Sequence, residues 1–389
     1  MPDRSNRVLL AFIVGQVGLH ASMAGLRMAA PLQALRDGHS AWTVGVLLAL
    51  FAAAPVMLAL HSGRLADRFG YHRPVRIAVA LAIAGALLAV LSTFGSGPVY
   101  FGLLCAGAMF AGAGANMGML TIQRTAGLTA KDSTERVRIF SWLSVAPSFS
   151  NVVGPVAVGF AIDLAGFGVA YGLMLLAPLA TLAVARHVPA SEPPGAANGA
   201  RTSWDLLSMP GMLRLLAVNW LLSMCWDVHT FAVPILGHER GFSASTIGLV
   251  LGTFTLSVTG VRAFLPLLAH RLEEVKLVRG AMIGTGIVFA LYPLAGTPWL
   301  MAACAVLLGI TLGCVQPVIM STLHHITPDD RHGEALAFRS MAINASSTVM
   351  PLLFGAVGTA VGAAALFWAV GSAVGAGSWA ARRLESART

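Results

Sequence analysis

The sequence predicts an all-α polytopic membrane protein: twelve transmembrane helices in two pseudo-symmetric six-helix bundles. Three observations predict it. Hydrophobic residues fill 57% of the 389 positions and charged residues only 11%, where a soluble protein carries about 25% charged residues. The apolar residues fall in runs long enough to cross a bilayer, about 20 residues as a helix. The two halves of the chain also repeat one another. So few charges cannot cover a globular surface of this size, which excludes an ordinary soluble enzyme. Gly is abundant at 42, but Leu, Val, Ile and Met recur throughout, which a disordered chain does not allow.

Backbone exposed to lipid must satisfy its own hydrogen bonds, so the spans are helices. In order they lie at 8–33, 42–62, 75–95, 99–123, 137–163, 168–187, 212–236, 244–269, 277–294, 298–323, 334–358 and 362–381. The first follows Arg4 and Arg7 and could be mistaken for a leader. Its length, the lack of a small-residue cleavage site and a matched copy later in the chain argue for a permanent span. Connections are short except after the sixth span. There SEPPGAANGARTSWD, rich in Pro, Gly and Ala, reads as a flexible cytoplasmic linker. The expected division is a first bundle at 1–187, a linker at 188–211 and a second bundle at 212–389.

The formal charge of +9 could suggest nucleic acid, but its distribution argues for a membrane. Most of the 25 Lys and Arg fall in loops and ends of one side, and only Arg36 and Arg240 in loops of the other. That bias places both termini in the cytoplasm, as in a bacterial-type inner membrane. Cys105, Cys225, Cys304 and Cys314 all lie in apolar stretches with no disulfide or zinc spacing. The expected partners are the bilayer and a small-molecule substrate, with no nucleic acid and a monomeric chain.

A shift of 203 residues lays Pro31 on Pro234, Gly38 on Gly241, Ser40 on Ser243, Thr43 on Thr246, Gly45 on Gly248 and Arg68 on Arg271. Later the offset drifts to 196–198, laying Thr129 on Thr327, Asp132 on Asp330, Pro155 on Pro351 and Gly159 on Gly355. Duplication of a six-helix unit marks carriers whose substrate site lies near the membrane midplane.

Between spans two and three stands GRLADRFGYHRPVR, from Gly63 to Arg76. Gly63 permits close helix approach, Asp67 can pair with Arg68 or a helix end, and Arg73 and Arg76 anchor the cytoplasmic face. This loop resembles the signature of the major facilitator superfamily, keeping Gly63, Leu65, Asp67, Arg68, Gly70 and Arg73. Tyr71 and His72 replace the usual basic pair. The resemblance implies that Gly63, Asp67, Arg68, Gly70 and Arg73 serve conformational gating and do not bind substrate; a topology-setting basic loop is the plainer alternative. The second-half counterpart, PLLAHRLEEVK from Pro266, is degenerate, with His270 in place of Asp67. In span five, NVVGPVAVGFAID is similar to the motif of the proton-driven efflux (drug or metabolite:proton antiporter) branch, with Val158 departing from it. Gly154, Pro155 and Gly159 would bend and thin that helix and are expected to serve conformational gating as well; a simple packing kink remains open. Span four lacks the internal Arg common in efflux relatives. It has Asn116 inside and Arg124 at its end, so the usual relay position does not carry over.

Polar groups inside spans are costly and are functional candidates by default. Gln16, His20, Met23 and Arg27 share one face of the first span. At the same offset of 203, Asn219, Ser223, Trp226 and Thr230 occupy the seventh. These faces are expected to line a central cavity, although hydrogen bonding between packed helices would also explain them. Asp227 is the acid placed deepest, so it is the expected proton-coupling group, with His20 or His229 as relay. A permanent ion pair with Arg27 is the alternative. Substrate-binding candidates are Gln16, His20, Arg27, Asn116, Asn219, Trp226, Gln316, Arg339 and Asn344. Arg27, Arg262 and Arg339 within apolar segments favour an anionic or zwitterionic substrate, since guanidinium grips carboxylate or phosphate at two points. Snorkelling of Arg262 and Arg339 to the cytoplasmic face competes with that role.

No catalytic arrangement or nucleotide-binding loop is present in the sequence. His324 and His325 beside Asp329 and Asp330 read as a solvated loop, and no metal or cofactor is expected. The expectation is a secondary carrier working by alternating access, with the proton gradient as its energy source, exporting an anionic or amphiphilic metabolite or drug. Inward proton symport of an organic anion and lipid flipping are the rival transport readings. A sensor or a lipid-modifying enzyme is the rival outside transport.

Overall fold

The computed structural model describes residues 4–129, 133–189, 204–268, 274–327 and 332–382. The chain forms α1 (Arg4–Arg36), α2 (Ala41–Phe69), α3 (His72–Ser92), α4 (Gly97–Thr129), α5 (Ser133–Ala185), α6 (Met212–Glu239), α7 (Ala244–Leu268), α8 (Glu274–Leu291), α9 (Pro298–Gly313), α10 (Val315–Ile326), α11 (His332–Val361) and α12 (Ala363–Arg382). Short 3-10 turns stand at Trp204–Ser208 and Tyr292–Leu294. Every segment expected from the sequence falls on one of these helices, with ends moved by a few residues. Two differences have local causes. The fifth and sixth segments form one continuous element broken at Gly166, whose φ of 82° is open mainly to glycine. The tenth divides at Cys314 into α9 and α10.

Among the described residues, nine helices are long and apolar enough to cross a membrane, and a shorter apolar one runs Ala363–Trp379. The α6 helix falls outside that set, and it is the helix that carries Asn219, Ser223, Asp227, His229 and Thr230. Elsewhere the exposed side chains are large and apolar, among them Met57, Phe94, Leu164, Leu256 and Trp299. A surface of this kind suits acyl chains and not water.

The described residues divide into two compact units. One holds α1–α5 with residues 243–252, the start of α7; the other holds α6, α7 from 253, and α8–α12. In the first unit α1 packs most extensively along α5, and α4 packs against α2 and α3; in the second, α8 pairs with α12 and α6 with α11 and α12.

The duplication is visible in the backbone. Gly38 and Gly241 close α1 and α6 at φ 81° and 71°, while Gly166 and Gly362 take φ 82° and 85°. These pairs stand at the two offsets found in the sequence. The Gly38 N–H bonds to the Leu35 carbonyl and the Gly241 N–H to that of His238. Ser40 then meets Thr43, and Ser243 meets Thr246, hydroxyl to hydroxyl. The two basic residues off the cytoplasmic side by the sequence reading have local anchors. Arg36 lies 3.8 Å from the Asp163 carboxylate. Arg240 donates to the backbone carbonyls of Pro293 and Ala295, and burial pulls its pKa below the usual arginine value.

Glycines on α5 set a tight seam. A Cβ at Gly154 would stand 2.6 Å from the Ala21 carbonyl oxygen of α1, and one at Gly159 the same distance from the Ala244 carbonyl of α7. From the other side, a Cβ at Gly248 would come within 2.5 Å of the Pro155 carbonyl. One turn beyond Gly159, Asp163 accepts the backbone N–H groups of Ala244 and Ser245 at 3.0 and 2.7 Å. It thereby caps α7 from a distant helix, where a carboxylate also complements the helix dipole. Even a methyl group at 159 must push α7 off α5. Gly159→Ala is therefore expected to destabilise the purified protein by about 1–3 kcal/mol, the usual range for overpacking, read as a lowered unfolding midpoint in detergent. An unchanged midpoint would contradict the seam.

Candidate functional site

On α1 the half-buried positions follow helical spacing: Ile13, Val17, His20, Met23 and Arg27 are partly accessible, and most of their neighbours are buried. On α6 the line is Leu216, Trp220, Ser223, Trp226 and Thr230. Each member of one line matches a member of the other at the offset of 203. Of the residues expected on these faces, His20, Arg27 and Trp226 lie on the accessible lines. Gln16 and Asn219, themselves repeat-related, lie one helical step aside, 2% and 1% exposed. Among the described residues their amide groups find no hydrogen-bond partner.

In the first unit His20 lies close to the Asn151 side chain of α5 and within electrostatic range of Arg27. The close approach of α1 and α5 at Gly154 brings these groups together. Asn116 of α4 is half-buried, one and two turns before the half-buried Leu120 and Gln123. Asn151 was legible as part of the polar face Ser144, Ser148, Asn151 on span five. Its partner could not be read from one helix.

In the second unit Asp227 is only 5% exposed. Ser346 and Ser347 of α11 donate their hydroxyls to its carboxylate, each at 3.2 Å. This clasp links α6 to α11 through the Asp227 carboxyl group. Ser347 belongs to the polar face that Arg339 and Asn344 open on span eleven in the sequence, while Ser346 gave no signal beyond lying in an apolar helix. Gln316 of α10 and Arg339 of α11 also meet, the guanidinium donating to the amide oxygen. Asn344 is exposed, and its carbonyl accepts the Thr348 hydroxyl.

His229 stands apart from the accessible line of α6. It is fully buried, with Nε2 3.0 Å from the Tyr292 hydroxyl and its ring 4.2 Å from that of Phe254. Tyr292 in turn stacks on Phe367, and Trp226 meets Phe254 edge-on. Sequence periodicity placed His229 beside Asp227; the fold sets it into an aromatic cluster.

At the loop after α2, Gly70 closes the helix at φ 65°, its N–H bonding to the Ala66 carbonyl. The guanidinium groups of Arg68 and Arg73 lie over Phe69, 5.3 and 4.1 Å from the ring centre. Tyr71, which departs from the basic pattern, is buried against Phe12 in the core of the first unit. The surroundings of Gly63 and Asp67, and the side chains of His324, His325, Asp329 and Asp330, lie outside the described residues. Gly154, Pro155 and Gly159 sit in the α5 seam. Among the described residues no group of three or more His, Cys, Asp or Glu could hold a metal ion.

Two units of apolar helices, with matched, partly accessible lines that carry His20 and Arg27 on α1 and Ser223 and Thr230 on α6, have the features of a membrane carrier. The sequence matches the Major Facilitator Superfamily over residues 12–295 and 215–388, and the chain belongs to that family. It is 30% identical over 369 residues to the class C tetracycline resistance protein of Escherichia coli, covering 91% of this chain and 90% of that protein. It is 24% identical over 312 residues to the enterobactin exporter EntS of Citrobacter koseri, covering 78% and 73%. Among solved structures it is similar to an inward-facing bacterial homologue of the iron transporter ferroportin. That similarity has a TM-score of 0.77 at 15% identity and covers 98% of each chain. A peptide transporter of the POT family follows at TM-score 0.76 and 13% identity, covering 97% and 94%. The chain is thus a multi-pass membrane transporter and not an enzyme.

If His20 and Asn151 act as one unit, His20→Ala and Asn151→Ala should each lower transport, and the double variant should lose no more than the worse single one. Initial-rate measurements in vesicles would reveal the opposite, full additivity, as expected of independent residues.

Proposed function

We propose that the protein is a proton-coupled exporter of small organic molecules of anionic or amphiphilic character. It works as a monomer by alternating access in a bacterial-type inner membrane, with both termini in the cytoplasm. It takes its energy from the proton gradient and uses no cofactor. Likeness to proteins named for tetracycline resistance and enterobactin export supports the outward direction. The observation that carries the coupling is the buried Asp227 clasped by two serine hydroxyls. Ionised, the carboxylate accepts both bonds. Protonated, it loses its charge and one of its acceptor positions becomes a donor. The α6–α11 clasp therefore depends on the proton, which is what a coupling group needs: one helix arrangement favoured by each protonation state. The substrate-contacting groups of this reading are His20, Arg27 and Asn116 in the first unit and Trp226, Gln316, Arg339 and Asn344 in the second, with Gln16 and Asn219 supporting them from within the packing of their own units.

The test uses everted membrane vesicles acidified inside, with tetracycline, enterobactin and a panel of organic acids as probes. An exporter accumulates its substrate in such vesicles and loses it again when a protonophore collapses the gradient. Asp227→Asn is expected to keep exchange without a gradient while losing accumulation. Full proton-driven accumulation by that variant would remove Asp227 from the role, and expulsion of the probe on acidification would reverse the direction to symport.

A further inference from the structure

A second cluster of charge lies away from Asp227, in the second unit alone. Gly309 and Gly313 bring α9 directly onto α7. A Cβ at Gly309 would stand 2.6 Å from the Phe254 carbonyl oxygen, and one at Gly313 3.0 Å from Val261 Cβ and 3.2 Å from Val258 Cα. The Ser257 hydroxyl reinforces this contact by donating to the Val306 carbonyl at 2.8 Å. The end of α9 at Gly313 thus lies against Val258 and Val261, just before Arg262 on α7, and the chain breaks at Cys314 before α10 begins at Val315. Gln316 lies in the first turn of α10, and Arg339 of α11 donates to its amide oxygen.

The result is two half-buried guanidinium groups, one from α7 and one from α11, with one amide from α10. The two positive charges are near enough to oppose one another. The Nε atoms of both arginines are buried without a hydrogen-bond partner, and among the described residues neither has a carboxylate within ion-pair range. Holding two cations together away from water is costly unless an anion joins them. Guanidinium forks match the oxygens of a carboxylate or phosphate.

We propose that Arg262, Gln316 and Arg339 form a binding site for the carboxylate or phosphate of an organic anion. Arg262 and Arg339 supply charge and paired donors, and the Gln316 amide orients Arg339. On α11 the site stands seven residues from Ser346. That is about two turns on the same helix face, or roughly 10 Å along the axis, so the anion site and the proton clasp share one helix. The proposal rests on the transport reading only for what the bound anion is used for. A soluble organic anion and an anionic lipid headgroup both offer this chemistry.

The test is arginine footprinting of the wild-type protein with phenylglyoxal, read by mass spectrometry, in nanodiscs of phosphatidylcholine. Salicylate or inorganic phosphate, at matched ionic strength, is expected to slow modification of Arg262 and Arg339 together. The exposed Arg68 and Arg73 should keep their rate. Protection that appears only in nanodiscs containing phosphatidylglycerol assigns the same site to a headgroup. Protection of neither arginine under any of these conditions overturns the site. Arg262→Gln and Arg339→Gln should each weaken salicylate or phosphate binding by about tenfold or more, with Arg→Lys intermediate because charge survives and the fork does not. Equal binding by the two Gln variants also overturns it. No gradient enters these measurements. Anion protection without proton-driven accumulation therefore spares this site and sinks the exporter reading, and the reverse pattern does the opposite.

Discussion

Hydrocarbon does not tolerate unpaired polar groups, and this constraint shapes the molecule. A charged side chain at the centre of a spanning helix costs about 2.5–3.5 kcal/mol on insertion scales. The chain nevertheless keeps Asp227 and Arg27 within helices of otherwise apolar character. Asp227 is buried and clasped by Ser346 and Ser347, and Arg27 is half-buried on the line that includes His20. Large apolar side chains occupy the outer faces instead. The polar lines on α1 and α6 stay off the acyl chains because each helix is packed against several others of its own unit.

The duplication supplies matched scaffolds, and divergence supplies the chemistry. The helix ends, the left-handed glycines and the accessible lines correspond at the offsets found in the sequence. The residues on those lines do not. At the 203 offset His20 corresponds to Ser223, Met23 to Trp226 and Arg27 to Thr230; Asp227 corresponds to Ala24, and Arg262 to Ala59. One half thus carries the histidine and the central arginine, the other the acid and the paired arginines. A carrier of the proposed kind, binding both a proton and a substrate, gains from this asymmetry, because identical halves would offer both ligands the same groups.

Most of the fold was legible because its signals are local. Apolar length marks a span, Gly38 and Gly241 mark helix ends, and Gly154 and Gly159 announce a close approach. What escaped depends on tertiary contact. No local pattern reveals that residues 243–252 pack with the first unit, since Asp163 and Gly159 act across more than 80 residues of chain. The division at Cys314 is the exception, with a local cause: Pro317 has no N–H to bond the Gly313 carbonyl four residues earlier, so the helical ladder breaks there. Within the site, periodicity found the faces of α1 and α6 but not their centres. Gln16 and Asn219 proved to be one step off the accessible line, and His229 belongs to an aromatic cluster with Tyr292. The partners of His20 and Asp227 lie on other helices and were invisible in a single segment.

The central claim is that water reaches the polar line of α1 while the rest of that helix stays sealed. The most direct test is a cysteine scan from Ile13 to Arg27 with Cys105, Cys225, Cys304 and Cys314 replaced, labelled by a membrane-impermeant maleimide in vesicles of both orientations. Labelling should peak at 13, 17, 20, 23 and 27 and fall away at Gln16, Leu19 and Leu26. Uniform labelling, or labelling confined to the last group, would contradict the account.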